Sequence, residues 1–386
     1  MNVLHVYRTY FPTTQGGLEE VIRQICANTQ HHGVTSRVLS LASTPPATPL
    51  VREEATVYIE KKHLEVSSCS ISLSALRTFR ELVDWADIVQ YHFPWPFADV
   101  LHLLGHVTKP CILTYHSDIV RQRFLSFFYT PLMNRFLAAM DRIVCTSPNY
   151  FATSPVLSRF EDKVEVIPIG LDSSAYFAEG RELQSDRVET IGPPYFLFIG
   201  VLRYYKGLHI LLEAMKGAPY RVVIVGSGPT ERSLKEQASS LALDNVVFAG
   251  HISDGEKISL LKNARAIVFP SYLRSEAFGV TLLEGAMFSR PLISTEVGSG
   301  TSHVNIHQET GLVVAPGSAK ALRRAMDRLY EDEALARRMG EAANRRYQAL
   351  FTGKLMGERY FSLYQDVLGH SDATDQSVAA SNHRRR

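Results

Sequence analysis

The chain has no D-x-D triplet and no group of His, Cys and carboxylates at metal-ligand spacing, so no metal and no other cofactor is expected. Its four cysteines, Cys26, Cys69, Cys111 and Cys145, are scattered without a C-x-x-C pair. Three of them lie in apolar strand or helix patterns, which argues for buried free thiols in a reducing compartment rather than disulfides or zinc. No run of about 18 apolar residues is present, so nothing reads as a bilayer span. The opening MNVLHVY breaks at Arg8 after a short apolar stretch, so no secretory signal is expected and the chain reads as cytoplasmic. An excess of one charge is missing as well. Lys+Arg number 41 against 39 Asp+Glu, a balance of +2, which is too small to imply nucleic acid, although His383-Arg384-Arg385-Arg386 is a local basic tail.

The remainder is the composition of a globular α/β protein: 386 residues, 45% hydrophobic and 21% charged, with 24 Gly and 18 Pro. That length suits two domains. Apolar strand-like runs recur at Val3–Tyr7, Arg37–Leu41, Ile88–His92, Cys111–Tyr115, Arg142–Thr146 and Val164–Ile167, with helical patterns between them. A second series starts after Pro193-Pro194 with Tyr195–Val201 and continues at Arg221–Val225, Val246–Ala249, Ala266–Phe269, Leu292–Ser294 and Leu312–Val314. Continuous apolar strands of this kind predict parallel sheets covered on both faces. The polar stretch 171–192 is the linker, giving an N-terminal domain over 1–175 and a C-terminal domain over 192–353. Helices follow over 318–350 and 354–369, and 370–386 reads as a disordered basic tail.

The stretch Ile267–Pro291, IVFPSYLRSEAFGVTLLEGAMFSRP, concentrates the chemistry. A strand ends at Pro270-Ser271, a loop presents Glu276, and a helix started by Gly279 carries Glu284. Residues eight apart are off one helical stripe, so the two carboxylates serve one ligand only if Glu276 precedes the helix. Backbone N–H groups at Phe278-Gly279 open that helix, where a phosphate is stabilised. Diphosphate at a helix end and carboxylates for hydroxyls describe a nucleotide-sugar site. Here the sequence resembles glycosyltransferase family 4, whose E-x7-E motif reads Glu276…Glu284. The resemblance runs from Phe11 to Val367 and implies a GT-B fold, two Rossmann-like parallel-sheet domains facing a central cleft, with the helix 354–369 crossing back onto the first domain.

Other residues fit around that motif. Arg203 and Lys206 follow a strand's carboxyl end and precede a helix, where open α/β sheets place ligands. Two cations there suit a diphosphate, and the resemblance gives them leaving-group stabilisation. Gly226 and Gly228 in G-S-G-P lack the third glycine of a dinucleotide fingerprint, because Glu231 stands there; they resemble the family's loop under the nucleotide. Gly16-Gly17, before the helix that begins Leu18-Glu19-Glu20, lets backbone approach a ligand, and the resemblance assigns it to donor diphosphate and acceptor. His116, at a strand's carboxyl end, stands where the family places a His beside the donor sugar. Ser147 and Asn149 end another strand in a similar way. His303 stands where most relatives carry Glu.

The resemblance implies a retaining, metal-independent transferase, with GDP-mannose as donor and a lipid-linked saccharide acceptor in O-antigen or surface polysaccharide synthesis. Within it, UDP-glucose or dTDP-rhamnose are alternative donors. A sugar-nucleotide epimerase would need paired acids in the first half, which are not found. An NAD-dependent dehydrogenase is opposed by Glu231, and a non-catalytic nucleotide-sugar-binding subunit by the intact set of Arg203, Lys206, Glu276 and Glu284. Finally, Arg121 and Arg123 precede Phe124, Phe127, Phe128 and Tyr129, a segment able to set aromatics at the acyl boundary and arginines on anionic headgroups, hence a peripheral membrane contact.

Overall fold

The computed structural model describes residues 1–66, 69–119, 123–177, 191–192 and 194–383, with the side chains of 66, 123–128, 175 and 370–383 left undescribed. The chain divides into two compact units. One comprises Met1–Thr146, Ser154–Ile169 and Gly353 onward, and the other Ser147–Thr153 and Gly170–Thr352.

In the first unit an eight-stranded sheet runs in the order Val164–Val166, Arg142–Cys145, Cys111–Tyr115, Ile88–Phe93, Asn2–Val6, Thr35–Ala42, Thr56–Lys61, Leu50–Val51. All neighbours pair in parallel except the last. The central strands are buried along their whole length, as the apolar runs require. Thr56–Lys61 and Leu50–Val51 lie outside the strands expected from sequence. Thr56–Lys61 buries only alternate residues and ends in lysine, so it has the pattern of a half-covered outer strand. A small antiparallel hairpin, Leu64–Val66 with Cys69–Ile71, was also not expected.

Helix Gly353–His383 packs onto this unit against helix Gly17–Gln30. The two approach closely because Gly353 and Gly357 face Asn28: a Cβ at Gly357 would stand 2.7 Å from the Asn28 Cβ and 2.8 Å from its carbonyl oxygen. The same helix brings Tyr360 and Tyr364 over polar residues in mid-sheet. Tyr360 Oη and Thr114 Oγ1 are 3.1 Å apart, Gln90 Nε2 donates to Thr114 Oγ1 at 2.9 Å, and the Tyr364 hydroxyl donates to Gln90 Oε1. A polar layer is thus tolerated inside a sheet because each group finds a partner. The helix continues to His383, past the point at which the sequence reading places a disordered tail. No proline interrupts 354–383, and its two glycines, Gly357 and Gly369, each lower helix propensity by only about 1 kcal/mol.

The second unit is a six-stranded, all-parallel sheet in the order Val246–Gly250, Arg221–Val225, Tyr195–Ile199, Ala266–Phe269, Leu292–Thr295, Gly311–Val314. The order reverses between Tyr195–Ile199 and Ala266–Phe269, so their carboxyl ends flank a crevice at the topological switch point. In the first unit the equivalent point falls between Asn2–Val6 and Ile88–Phe93.

Of the aromatic segment considered for membrane contact, residues 121–128 lie outside the described side chains. Phe136, further along the same helix, packs edge-on to Tyr91 at 5.0 Å and is fully buried. Among the described residues no helix is long and apolar enough to cross a membrane.

Replacing Gly357 by Leu should lower the urea-unfolding free energy by about 1–3 kcal/mol through overpacking on Asn28. Gly369→Ala, at a position with open space, should leave it unchanged or raise it by up to about 1 kcal/mol. Equal effects of the two substitutions would show that the glycines do not set the helix contact.

Candidate active site

Three loops meet at the second unit's switch point. The first, 200–207, leaves Tyr195–Ile199 and closes with a single 3-10 turn, Tyr204–Lys206. Gly207 then adopts φ 70°, and a Cβ there would collide with the Pro270 carbonyl. The second loop, 226–230, is laced to the first: Leu202 N–H donates to Ser227 O at 2.9 Å and Thr230 N–H to Leu202 O at 3.2 Å. Any Cβ on Gly226 or Gly228 would overlap the backbone of Gly200 or Leu202. These two glycines, assigned from sequence to a nucleotide, therefore also have a structural task, holding the loop that bears Arg203 and Lys206. The third loop follows Ala266–Phe269 and carries Ser271 and Glu276 to Gly279, the N-cap of helix Val280–Met287.

These loops join Lys206 to Glu276. Lys206 Nζ lies 2.5 Å from Glu276 Oε2, both side chains are largely out of water, and Ser271 Oγ donates to the same oxygen at 3.0 Å. The ammonium also sits 4.6 Å from the Phe269 ring centroid, a cation–π contact. Glu284, inside the helix, is held separately. Tyr176 Oη donates to its Oε1 at 2.8 Å and Lys257 Nζ at 3.0 Å, and Lys257 lies over the Tyr176 ring. Each glutamate thus binds protein groups through one oxygen, and the described contacts give its other oxygen no partner. Buried carboxylates arranged this way are held in orientation while keeping an acceptor for a ligand hydroxyl.

Arg203 is placed differently from Lys206. Its exposed side chain lines a groove of about 340 Å³ with Tyr204, His209, Thr230, Gln237 and Tyr272. Phe278 is buried under Gly300, and the amides from Gly279 onward form the open N-terminus of Val280–Met287. Ser147 and Asn149 belong to this unit. Asn149 donates to Ser302 Oγ at 3.1 Å, joining the short helices Pro148–Thr153 and Thr301–Val304, and Ser147 Oγ accepts from the Tyr150 N–H at 3.1 Å at the start of Pro148–Thr153. The carbonyl of His303 accepts from Arg346 at 2.7 Å, and its ring lies edge-on to Phe351.

On the first unit, Gly16 is the N-cap of helix Gly17–Gln30. Thr14 Oγ1 donates to Glu19 Oε1 at 2.9 Å, and Glu19 Oε2 stands only 2.6 Å from where a Cβ on Gly16 would be. The helix N-terminus is thereby met by the chain's own carboxylate, which sets a negative charge beside the amides assigned from sequence to a diphosphate. His116 ends Cys111–Tyr115 and is buried. Its Nε2 lies 3.1 Å from His92 Nδ1, and His92 Nε2 lies 3.2 Å from His5 Nδ1. Burial pushes the pKa of His116 and of His5 down to about 3, and that of His92 well below the usual range, with the neighbouring imidazoles adding to the effect. All three are neutral at pH 7. His116 is therefore a hydrogen-bonding group at neutral pH and not a cationic acid.

Lys257, Tyr176, His92 and His5 were missed from sequence. Tyr176 lies in the stretch read as linker. Lys257 sits on a helix whose Ser253–Glu256 capping box is legible, but its spacing to Glu284 carries no signal. The histidines interrupt otherwise apolar strands, and that was the available clue. Among the described residues no group of three or more His, Cys, Asp or Glu could hold a metal ion.

The family model described as Glycosyltransferase Family 4 matches residues 15–175, and that described as Glycosyl transferases group 1 matches 181–346. The chain is 50% identical over 352 residues to D-rhamnosyltransferase WbpZ of Pseudomonas aeruginosa, covering 91% of this chain and 92% of the relative. It is 44% identical over 368 residues to O-antigen chain mannosyltransferase C of Escherichia coli, covering 95% and 99%. Among solved structures, sucrose-phosphate synthase of Thermosynechococcus elongatus superposes with a TM-score of 0.79 at 20% identity, covering 96% of this chain and 99% of that one.

Removing either partner of the Lys206–Glu276 pair leaves a largely buried charge uncompensated, which costs about 3–5 kcal/mol when burial is complete. Lys206→Met and Glu276→Gln should each destabilise the unliganded protein, and the double variant should lose less than the sum, with a coupling of about 0.5–3 kcal/mol. Strict additivity in a chemical-denaturation cycle would show that the pair is not an energetic unit.

Proposed function

The chain belongs to glycosyltransferase family 4, with the GT-B fold of two Rossmann-like parallel-sheet domains, and from that premise we propose that it transfers mannose from GDP-mannose, with retention, onto a lipid-linked saccharide in O-antigen assembly. The observation that carries this reading is the pair of buried, oriented glutamates beside the N-terminus of Val280–Met287 at the switch point, each with one oxygen left for a ligand hydroxyl. Glu284 takes the ribose hydroxyls, and Lys257 and Tyr176 hold it in place. Glu276 takes the donor sugar. Lys206, Arg203 and the amides at Phe278-Gly279 stabilise the charge that grows on the departing diphosphate. A phosphate oxygen of that leaving group accepts the acceptor's proton, and His116 offers a hydrogen bond to a sugar oxygen.

The relative with 50% identity supports a second reading, a D-rhamnose donor. D-Rhamnose is D-mannose without its C6 hydroxyl, so both readings share one sugar configuration. Measuring nucleotide release from GDP-mannose, GDP-D-rhamnose, UDP-glucose and dTDP-rhamnose separates them. Turnover of the UDP or dTDP donors alone would overturn both. A peripheral contact with anionic lipid that would present the acceptor is proposed from the sequence of Arg121–Phe128, whose side chains lie outside the described residues, while Tyr129 donates to the buried Asp99.

Glu284→Ala should weaken GDP binding by about 1–3 kcal/mol, the worth of a charge-assisted hydrogen bond. Glu276→Ala should leave GDP affinity nearly intact and reduce transfer. Calorimetric titration of both variants checks this, and identical losses of GDP affinity would contradict the division of labour.

Activity should survive EDTA, because Lys206, Arg203 and a helix N-terminus supply the positive charge that a divalent ion supplies elsewhere. A loss restored by Mg²⁺ or Mn²⁺ would show that the diphosphate needs an ion this reading does not provide.

A further inference from the structure

We infer that His5 and His92 are positioning residues that fix His116 in a single neutral tautomer, with its proton on Nδ1 and that N–H available to a sugar oxygen. Three imidazole rings lie in a row on three adjacent strands. His5 lies in Asn2–Val6, His92 in Ile88–Phe93, and His116 just past Cys111–Tyr115. The rings lie end to end and nearly coplanar, with centroids 5.5 Å apart for His5–His92 and 5.4 Å for His92–His116 and interplanar angles of 23° and 17°, the arrangement that in-plane N–H···N bonds require. Exposure rises along the row from 0% at His5 through 1% at His92 to 4% at His116, so His116 is the outer end.

Both nitrogens of His92 are engaged, one by each neighbour. A neutral imidazole has one donor and one acceptor, so His92 must donate to one neighbour and accept from the other. Only two concerted arrangements satisfy both bonds. In one, each ring is protonated on Nδ1: His5 donates to His92, His92 donates to His116, and His116 Nδ1–H points onward. In the other, every ring is protonated on Nε2 and the direction reverses.

The inner end decides between them. Among the described residues His5 Nε2 is buried and has no hydrogen-bond partner. In the first arrangement that orphan is a lone pair. In the second it is an N–H, and buried N–H groups without partners are the rarer and costlier case. The inner end therefore favours the arrangement in which protons run outward. Tyr7, edge-on to His92 at 6.3 Å, closes the side of the row.

The consequence for the proposed transferase, on whose reading this last step rests, is a fixed donor. A free imidazole prefers its proton on Nε2, so His116 alone would offer a bare Nδ1. Linked to His92 it offers Nδ1–H, set before any sugar arrives and needing no reorganisation on binding.

The test is the nitrogen spectrum of ¹⁵N-histidine-labelled full-length protein at pH 7, with His116 assigned by the signals lost in His116→Gln. The expected result is a protonated-type shift at His116 Nδ1 and a bare-type shift at Nε2, reversed in His92→Leu. A protonated Nε2, or averaged shifts at both nitrogens in the unmodified protein, overturns the inference, and that spectrum decides even if His92→Leu does not fold. If the spectrum is as expected and no sugar nucleotide is turned over, the transferase reading falls and the tautomer assignment stands.

Discussion

Where strands Tyr195–Ile199, Arg221–Val225 and Ala266–Phe269 end, the backbone is packed more closely than side chains allow. A Cβ on Gly207 would meet the Pro270 carbonyl, one on Gly226 the Gly200 carbonyl, and one on Gly228 the Leu202 backbone. Because those positions are glycine, the loop bearing Lys206 lies against the loop bearing Ser271 and Glu276, and an ion pair forms almost out of water. A pair so placed gains little net stability, since desolvation offsets its attraction. Its value is geometric: it holds a cation and a carboxylate at the mouth of a switch-point crevice before a ligand is present. Glu284, Gly279 and the start of Val280–Met287 take their positions from the same strand end.

The first unit solves a different problem with the same means. Its mid-sheet residues His5, Gln90, His92, Thr114 and His116 are polar and buried, a burden of several kcal/mol if left unpaired. The last helix lowers it by bringing Tyr360 and Tyr364 to Thr114 and Gln90, and the histidines bond one another through His5 Nδ1, both nitrogens of His92 and His116 Nε2. Docking that helix depends in turn on Gly353 and Gly357 against Asn28. A helix distant in sequence thus supplies partners for polar groups inside the sheet.

The strands of both sheets were legible because parallel strands buried on both faces read as unbroken apolar runs: Arg221–Val225 and Ala266–Phe269 have the same bounds in sequence and structure. Thr56–Lys61 was not legible, since half its residues face water and it adjoins charged turns. Lys206 and Glu276 stood out because each closes a strand-to-helix turn, a local signal. Tyr176 and Lys257 reach Glu284 across 108 and 27 residues, and nothing local marks such a meeting. The histidine row was hidden for a related reason. Its three members are 87 and 24 residues apart, and only strand order makes them neighbours.

Donor choice lies deeper still. D-Mannose and D-rhamnose differ by one oxygen at C6, and how sharply a protein separates them depends on what it sets against that carbon. An apolar wall discriminates weakly, by about 10²-fold, because it tolerates an added hydroxyl. A buried hydrogen-bond group made for that hydroxyl rejects the deoxy sugar by about 10⁴–10⁵-fold, because it is left unpaired when the hydroxyl is absent. The chain is 50% identical to a relative described as a D-rhamnosyltransferase and 44% identical to one described as a mannosyltransferase, so overall identity does not choose between the two donors. The row His5–His92–His116 is a buried, hydrogen-bonded set of side chains on the first unit. On the proposal made for His116, an N–H set against C6 would select a mannose donor, and one set against a hydroxyl common to both sugars would leave the choice to apolar contacts.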